Sequence, residues 1–208
     1  MLEAPEAEAS RGAGASGVYS AVALAPSLDS SYGECTLPFE DPPTRAELEE
    51  RHTATSEGSA ERRQLRYHLD LLDDVDPDPL RAPRLFTDTV GGQLATAVPY
   101  RAQVWRLGGK LRLVALTGEP VVDYALRFKS ELGWQDTWVS GYNNELLCYV
   151  PSERVLREGH YEGTEGMLEY RHPTVFAPGI EERINSLVHE LVRETDAATP
   201  HLRTAAAL

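Results

Sequence analysis

Basic residues are in short supply. The 208-residue chain has 20 Lys and Arg against 33 Asp and Glu, a formal charge of −13. A protein that binds a polyanion does so by neutralising phosphates with Lys and Arg, and the basic residues here are scattered among acids rather than gathered into a patch. Nucleic acid and an anionic membrane surface are therefore disfavoured as partners. Cysteine is equally scarce: Cys35 and Cys148 lie far apart with no CxxC spacing, which argues against a zinc ribbon or a disulfide framework and reads as two free thiols. No apolar run approaches the roughly 20 residues that span a bilayer. Glu3, Glu6 and Glu8 stand where a secretory signal would carry Lys or Arg, and no apolar core follows them, so the chain reads as having no export signal.

Catalytic signatures are missing too. None of the six histidines forms HxH, HExxH or another chelating spacing. No Walker loop and no GxSxG elbow occurs, and Ser130, Ser140 and Ser152 lack a context that marks a nucleophile.

What is present is organised from the middle onward. Residues 1–16 are Ala, Glu, Gly and Ser, too poor in large apolar groups to offset the entropy of ordering them. The stretch from Gly17 to Pro43 has short apolar pieces broken by four prolines and reads as irregular chain lying against a larger body. Thr44 followed by Glu47 fits a capping box, so a helix is expected from Thr44, broken at Ser56 to Ser59 around Gly58 and resumed through Leu65, Leu69 and Leu72. Pro77, Pro79 and Pro83 are expected to end it.

Ala102 to Leu107 reads as a strand, Gly108-Gly109 as a hairpin turn, and Leu111 to Leu116, nearly all apolar, as a central strand. Pro120 suits the first turn of a helix, whose buried face is Val121, Val122, Ala125, Leu126 and Leu132 and whose stop is Gly133. Thr137 to Ser140 gives a third strand and Ser152 to Gly159 a short helix. A last helix buries Ile180, Ile184, Leu187, Val188, Leu191 and Val192 as one stripe, with a frayed tail beyond Glu194. This alternation predicts an α/β fold with a partial mixed sheet flanked by helices, and three strands with so apolar a final helix look like part of a larger sheet.

Functional groups in α/β folds gather at strand ends. Gly118-Glu119, after the central strand, places a carboxylate at an expected helix N-terminus, where the helix dipole alone accounts for it. The Gly141-Tyr142-Asn143-Asn144 turn, Tyr149, Pro151 and Tyr161-Glu162-Gly163 make a second cluster, whose tyrosines read by composition as half-buried packing groups. His160 and His172 flank it. The residues alone disclose no reaction.

The runs Leu113-Val114-Ala115-Leu116-Thr117-Gly118-Glu119, Trp138-Val139-Ser140-Gly141-Tyr142-Asn143-Asn144, Tyr149-Val150 and Tyr161-Glu162-Gly163 resemble the C-terminal half of the neutral/alkaline, non-lysosomal ceramidase catalytic domain, its bacterial branch above all. Thr36-Leu37-Pro38-Phe39, Pro43-Thr44-Arg45, Val104-Trp105-Arg106-Leu107-Gly108 and Phe176-Ala177-Pro178-Gly179 are similar to its flanking features. The likeness runs from about Gly33 to Glu194. It implies a division into a poorly ordered lead-in over 1–32, the C-terminal part of a ceramidase-like catalytic domain over 33–195, and a tail over 196–208.

In that family a zinc-dependent amidohydrolase cleaves the amide of ceramide to a fatty acid and sphingosine. The metal is held by two histidines from the N-terminal half and by a glutamate and a tyrosine from the C-terminal half. The resemblance therefore implies Zn²⁺ ligands at Glu119 and Tyr149, with Tyr161 at the substrate carbonyl. Gly118, Gly141 and Asn144 are implied to shape the turns that present them. Zn²⁺ beside such donors polarises a carbonyl and acidifies a bound water, and a tyrosine hydroxyl stabilises an oxyanion. The histidine ligands belong to a part of the family domain that the matching segment does not cover. The resemblance thus implies a truncated or split hydrolase, inactive alone, acting on an N-acyl sphingolipid or related amide once another chain supplies the missing half. The alternative is a non-catalytic module that holds a lipid or protein in the same pocket. Members of the family are commonly exported or membrane-associated, and no compartment follows for this chain.

Overall fold

The structure is a computed structural model that describes residues 23–73, 89–90 and 92–198. The expected proline stop after Leu72 and the N-terminal arm lie outside the described residues. The expected α/β architecture is present: a mixed four-stranded sheet in the order β1-β4-β5-β7, with helices and two small ladders around it.

Strand β1 (Leu28–Pro38) corrects the reading of Gly17 to Pro43 as irregular chain. It pairs antiparallel along its whole length with β4 (Ala97–Leu107), and it begins inside the expected lead-in. Its alternation is hard to see because the inward positions are small where a helix comes close. A Cβ at Gly33 would meet Leu187 Cδ1 at 2.9 Å and Leu191 Cδ2 at 3.1 Å, and Ser31 reaches Glu194 with its hydroxyl.

Helix α1 (Arg45–Ala54) starts on the capping box: Glu47 N donates to Thr44 Oγ1 at 3.3 Å and Thr44 N to Glu47 Oε2 at 2.7 Å. The chain breaks at Gly58 (φ 78°), and Ser59 caps α2 (Ala60–Leu72). Leu48, Leu65 and Leu69 form a small second core with Leu94, from the two-residue ladder of β2 (Thr89–Val90) with β3 (Gln93–Leu94).

Strands β4 and β5 (Leu111–Leu116) form the expected hairpin, with Gly108 and Gly109 at φ 60° and 65°. Two consecutive positive φ angles explain the glycine pair. Strand β5 has neighbours on both sides, and β7 (Thr137–Ser140) joins it in parallel. The crossover is α3 (Val122–Leu132), whose C-cap is Gly133. It starts later than the sequence suggests, and its buried residues are Tyr124 and Phe128, whereas Val122 and Leu126, expected on that face, are exposed. Pro120 is not in its first turn but in β6 (Glu119–Pro120), which pairs in parallel with β8 (Tyr149–Val150). Glu119 therefore precedes the Val121 N-cap and is not a helix-terminal carboxylate.

Helices α4 (Glu153–Glu158), capped by Ser152, and α5 (Gly166–Glu169) are joined by a π-helical turn over Tyr161–Glu165. Helix α6 (Ile180–Ala198) lies across β1 and β4 and buries the whole expected stripe. It does not fray at Glu194: buried Thr195 bonds back to the Leu191 and Val192 carbonyls, and Asp196 accepts from Arg106 and Arg112 at 2.9 and 3.0 Å.

Helices α3 and α6 share one sheet face, where Val98, Tyr100, Ala102, Val104, Val114 and Leu116 pack against Phe128, Ile184 and Val188. The described helices leave the second face open. Ser30, Trp105, Leu113 and Trp138 stand there in one cross-strand row and Tyr32, Gln103, Ala115 and Ser140 in the next. Trp138 is 56 % and Tyr32 54 % exposed. No described helix is long and apolar enough to cross a membrane.

Candidate functional site

The site forms at the carboxyl end of β5. After Leu116 the chain turns through Gly118, at φ 69°, where a Cβ would meet the Cys148 carbonyl oxygen at 2.6 Å. Only glycine permits that approach, which lets Gly118 N donate to Glu145 O at 3.0 Å and Glu119 N to Cys148 O at 2.8 Å. These bonds set Glu119 directly opposite Tyr149 in the β6–β8 ladder.

The turn after β7 closes over the same point. A Cβ at Gly141 would meet Pro120 Cδ at 2.7 Å, and Tyr142 N donates to Gly118 O at 2.7 Å. Asn143 ties the turn with its side-chain amide, which donates to Ser140 O and Gly141 O, each at 2.8 Å. Asn144 contributes a left-handed backbone, φ 64°. The bonding role in this turn thus belongs to Asn143, which the sequence reading did not single out.

Three phenols converge on Glu119. Tyr170 Oη donates to Glu119 Oε1 at 2.8 Å, and the phenols of Tyr142 and Tyr149 face the same carboxylate and interact with it electrostatically. Burial pushes the Glu119 carboxyl up, but the three phenols outweigh it and hold the group below the usual carboxylate range. The phenols respond in the opposite sense. Tyr142 and Tyr149 are raised first by their interaction with Glu119, and Tyr170 by burial and then by its bond to Glu119. The cluster is an ionised carboxylate ringed by neutral phenol donors.

Tyr161 stands one ring away. Its ring meets that of Tyr149 edge-on, centroids 5.3 Å apart, while its hydroxyl donates to Glu169 Oε2 at 2.6 Å and is pushed up to about 12 by that bond. Two glycines make room for this packing. A Cβ at Gly166 would meet the Tyr149 ring at 2.6 Å, and one at Gly163, the glycine of Tyr161-Glu162-Gly163, would meet the Val155 carbonyl oxygen at 2.5 Å.

These groups border a cavity of about 590 Å³, with Glu119, Tyr142 and Tyr149 among its walls and Arg154, His160 and Glu162 joining them. Arg154 is already committed. Its guanidinium takes Asp123 in two bonds of 3.0 and 3.1 Å and reaches Glu158 at 2.8 Å, and Ser152 Oγ donates to Asp123 at 2.6 Å. The Arg154 and Ser152 bonds hold Asp123 below its ordinary range.

Zinc in a catalytic site takes three protein ligands and an open position. Glu119 and Tyr149 bring two oxygens together, but no group of three or more His, Cys, Asp or Glu able to hold a metal occurs among the described residues. The residues of this chain do not by themselves fit a zinc site.

The structure thus brings together Glu119 and Tyr149, places Tyr161 against Tyr149, and packs Gly118 and Gly141 beneath them. Tyr142, recognised in the sequence only as part of a turn, faces the carboxylate across the cavity. Tyr170 was missed, because it lies 51 residues from Glu119 in a segment with no motif or periodicity to mark it. No family model matches the chain, and neither a curated protein nor a solved structure matches it.

Proposed function

We propose that the chain is a ceramidase-like hydrolase of linear amide bonds, acting on ceramide or a related N-acyl lipid, and that it contributes one side of a zinc site that a further body must complete. The observation that carries this reading is the direct pairing of Glu119 with Tyr149 beside a cavity, the two residue types and positions that the family resemblance assigns to the metal. Two donors do not complete a catalytic zinc site, so in this reading the chain alone is inactive and imidazoles come from outside the described residues. Glu119 is suited to its part because it is ionised, and Tyr149 because its hydroxyl already faces Glu119. Tyr161 is the proposed contact to the substrate carbonyl. Its proton now goes to Glu169, so that contact requires the Glu169 bond to be exchanged.

A second reading is favoured by the phenols themselves. With Tyr170 bonded to Glu119 and the phenols of Tyr142 and Tyr149 facing it, the carboxylate has partners as it stands, which suits a binding module that holds a lipid or protein in the cavity without chemistry. Native mass spectrometry of the protein from the cells that make it separates the two. A heteromer or longer chain carrying one zinc supports the hydrolase reading, and a metal-free species at 23.0 kDa supports the binding module. Hydrolysis of ceramide by the isolated chain with zinc present would overturn the requirement for a second body.

A further inference from the structure

We infer that Tyr170 is a positioning residue that fixes the Glu119 carboxylate from the protein side, and that helix α2 is the brace that holds Tyr170 in place. The inference rests on the reading of Glu119 as the functional carboxylate of the cavity. The three phenols on Glu119 are not equivalent. Tyr142 and Tyr149 are cavity walls, whereas Tyr170 is not. A ligand in the cavity displaces groups on its own side; the bond from Tyr170 to Oε1, 2.8 Å long, lies outside that competition. It leaves Oε1 occupied and turns the rest of the carboxylate toward the cavity.

The turn that carries Tyr170 is held from two directions. Arg171 takes φ 65°, a conformation that costs a non-glycine residue energy and persists only where its surroundings impose it. Helix α2 supplies the first set of contacts. Gln64 Nε2 donates to Leu168 O at 3.0 Å, His68 Nε2 lies 3.2 Å from Arg171 O, and the Arg171 guanidinium sits over the Tyr67 ring, 4.9 Å from its centroid. His68 is buried. A carbonyl accepts only, so His68 Nε2 carries the proton of that bond.

The second set comes from His172, buried between Phe39 and Phe176 at centroid distances of 5.2 and 6.5 Å, with Nε2 at 3.2 Å from Leu147 O. Leu147 precedes Cys148, whose carbonyl accepts from Glu119 N. The residues flanking Tyr170 thus connect α2 on one side and the Glu119 backbone on the other. This gives the charged hairpin of α1 and α2, which the function otherwise leaves unused, a part in the site.

Tyr170→Phe removes one oxygen and keeps the ring. With ¹³C-labelled glutamate, and with the Glu119 signal assigned by its loss in Glu119→Gln, the expected result is a shifted Glu119 side-chain carboxyl resonance on an unchanged far-UV spectrum. A crystal structure of the variant is expected to show the carboxylate displaced by more than the ~0.5 Å per axis of ordinary thermal spread. Gln64→Leu, which removes the bond to Leu168 O, is expected to shift the same resonance less. An unmoved carboxylate and unchanged resonance in Tyr170→Phe would overturn the positioning role. A response to Tyr170→Phe with none to Gln64→Leu would overturn the brace. Neither readout needs metal or amide substrate, so failure of the hydrolase reading is seen separately.

Discussion

Gly118 and Cys148 are in backbone contact: the glycine Cα lies so close under the Cys148 carbonyl that a Cβ would stand 2.6 Å from its oxygen. This approach carries the β6–β8 ladder and hence the pairing of Glu119 with Tyr149. Gly118→Ala meets both the clash and a φ of 69°. The backbone strain alone costs about 1–3 kcal/mol. A lower urea midpoint, together with faster amide exchange at Glu119, whose N–H donates to Cys148 O, is the expected outcome; an unchanged midpoint counts against the contact.

Asp123 contributes to the acid limb of stability, alongside other lowered carboxylates such as Glu131 and Glu182. Its folded pKa is depressed by Arg154 and Ser152, so it contributes stability that is full above its unfolded value, about 3.9, and is lost as pH falls through the lower folded value. Asp123→Asn should lower the thermal midpoint at neutral pH and flatten its fall below about pH 4. Thermal scans from neutral to acid pH check this, and parallel curves for the two proteins would contradict it.

Ile184 sits at the centre of the α6 stripe and is fully buried. Truncation to alanine removes transfer energy and leaves a cavity, at about 2–5 kcal/mol. Equilibrium urea unfolding should register that loss with the slope unchanged.

Trp138 behaves in the opposite way, because it stands on the open face of the sheet and is 56 % exposed. Trp138→Ser is expected to alter the stability of the isolated chain by no more than about 0.5 kcal/mol while reducing its binding of a hydrophobic dye. A large destabilisation would mean that the face is already covered.

Much of this molecule was legible from local chemistry. Thr44 and Glu47, Gly108 and Gly109, Gly133, Ser152 and the stripe from Ile180 to Val192 each act within a few residues of themselves, and each cap, turn or buried stripe lies where the pattern places it, although α3 starts later and α6 ends later than expected. Strand β1 escaped because Gly33 and Ser31 are small on the face that meets α6. Pro120 misled because a proline that suits a first helical turn equally suits a strand position whose N–H is not needed. In the site, Glu119 and Tyr149 lie in the clusters at strand ends that the sequence marks out, whereas Tyr170 reaches Glu119 only through tertiary packing.

The pairing of β1 with β4 is also the least local in the sheet. The β4–β5 hairpin closes a loop of three residues between Leu107 and Leu111, while β1 must bring Leu28 to Leu107 and Pro38 to Ala97 across both α1 and α2. Closing the longer loop costs more chain entropy before any contact repays it. The hairpin is the most local pairing of the sheet, and the β1–β4 ladder, with its helical excursion, is the least local. Because α2 is part of that excursion, the same length of chain that links β1 to β4 carries the side chains that steady the Tyr170 turn, so the carboxylate's orientation is tied to the least local pairing in the sheet.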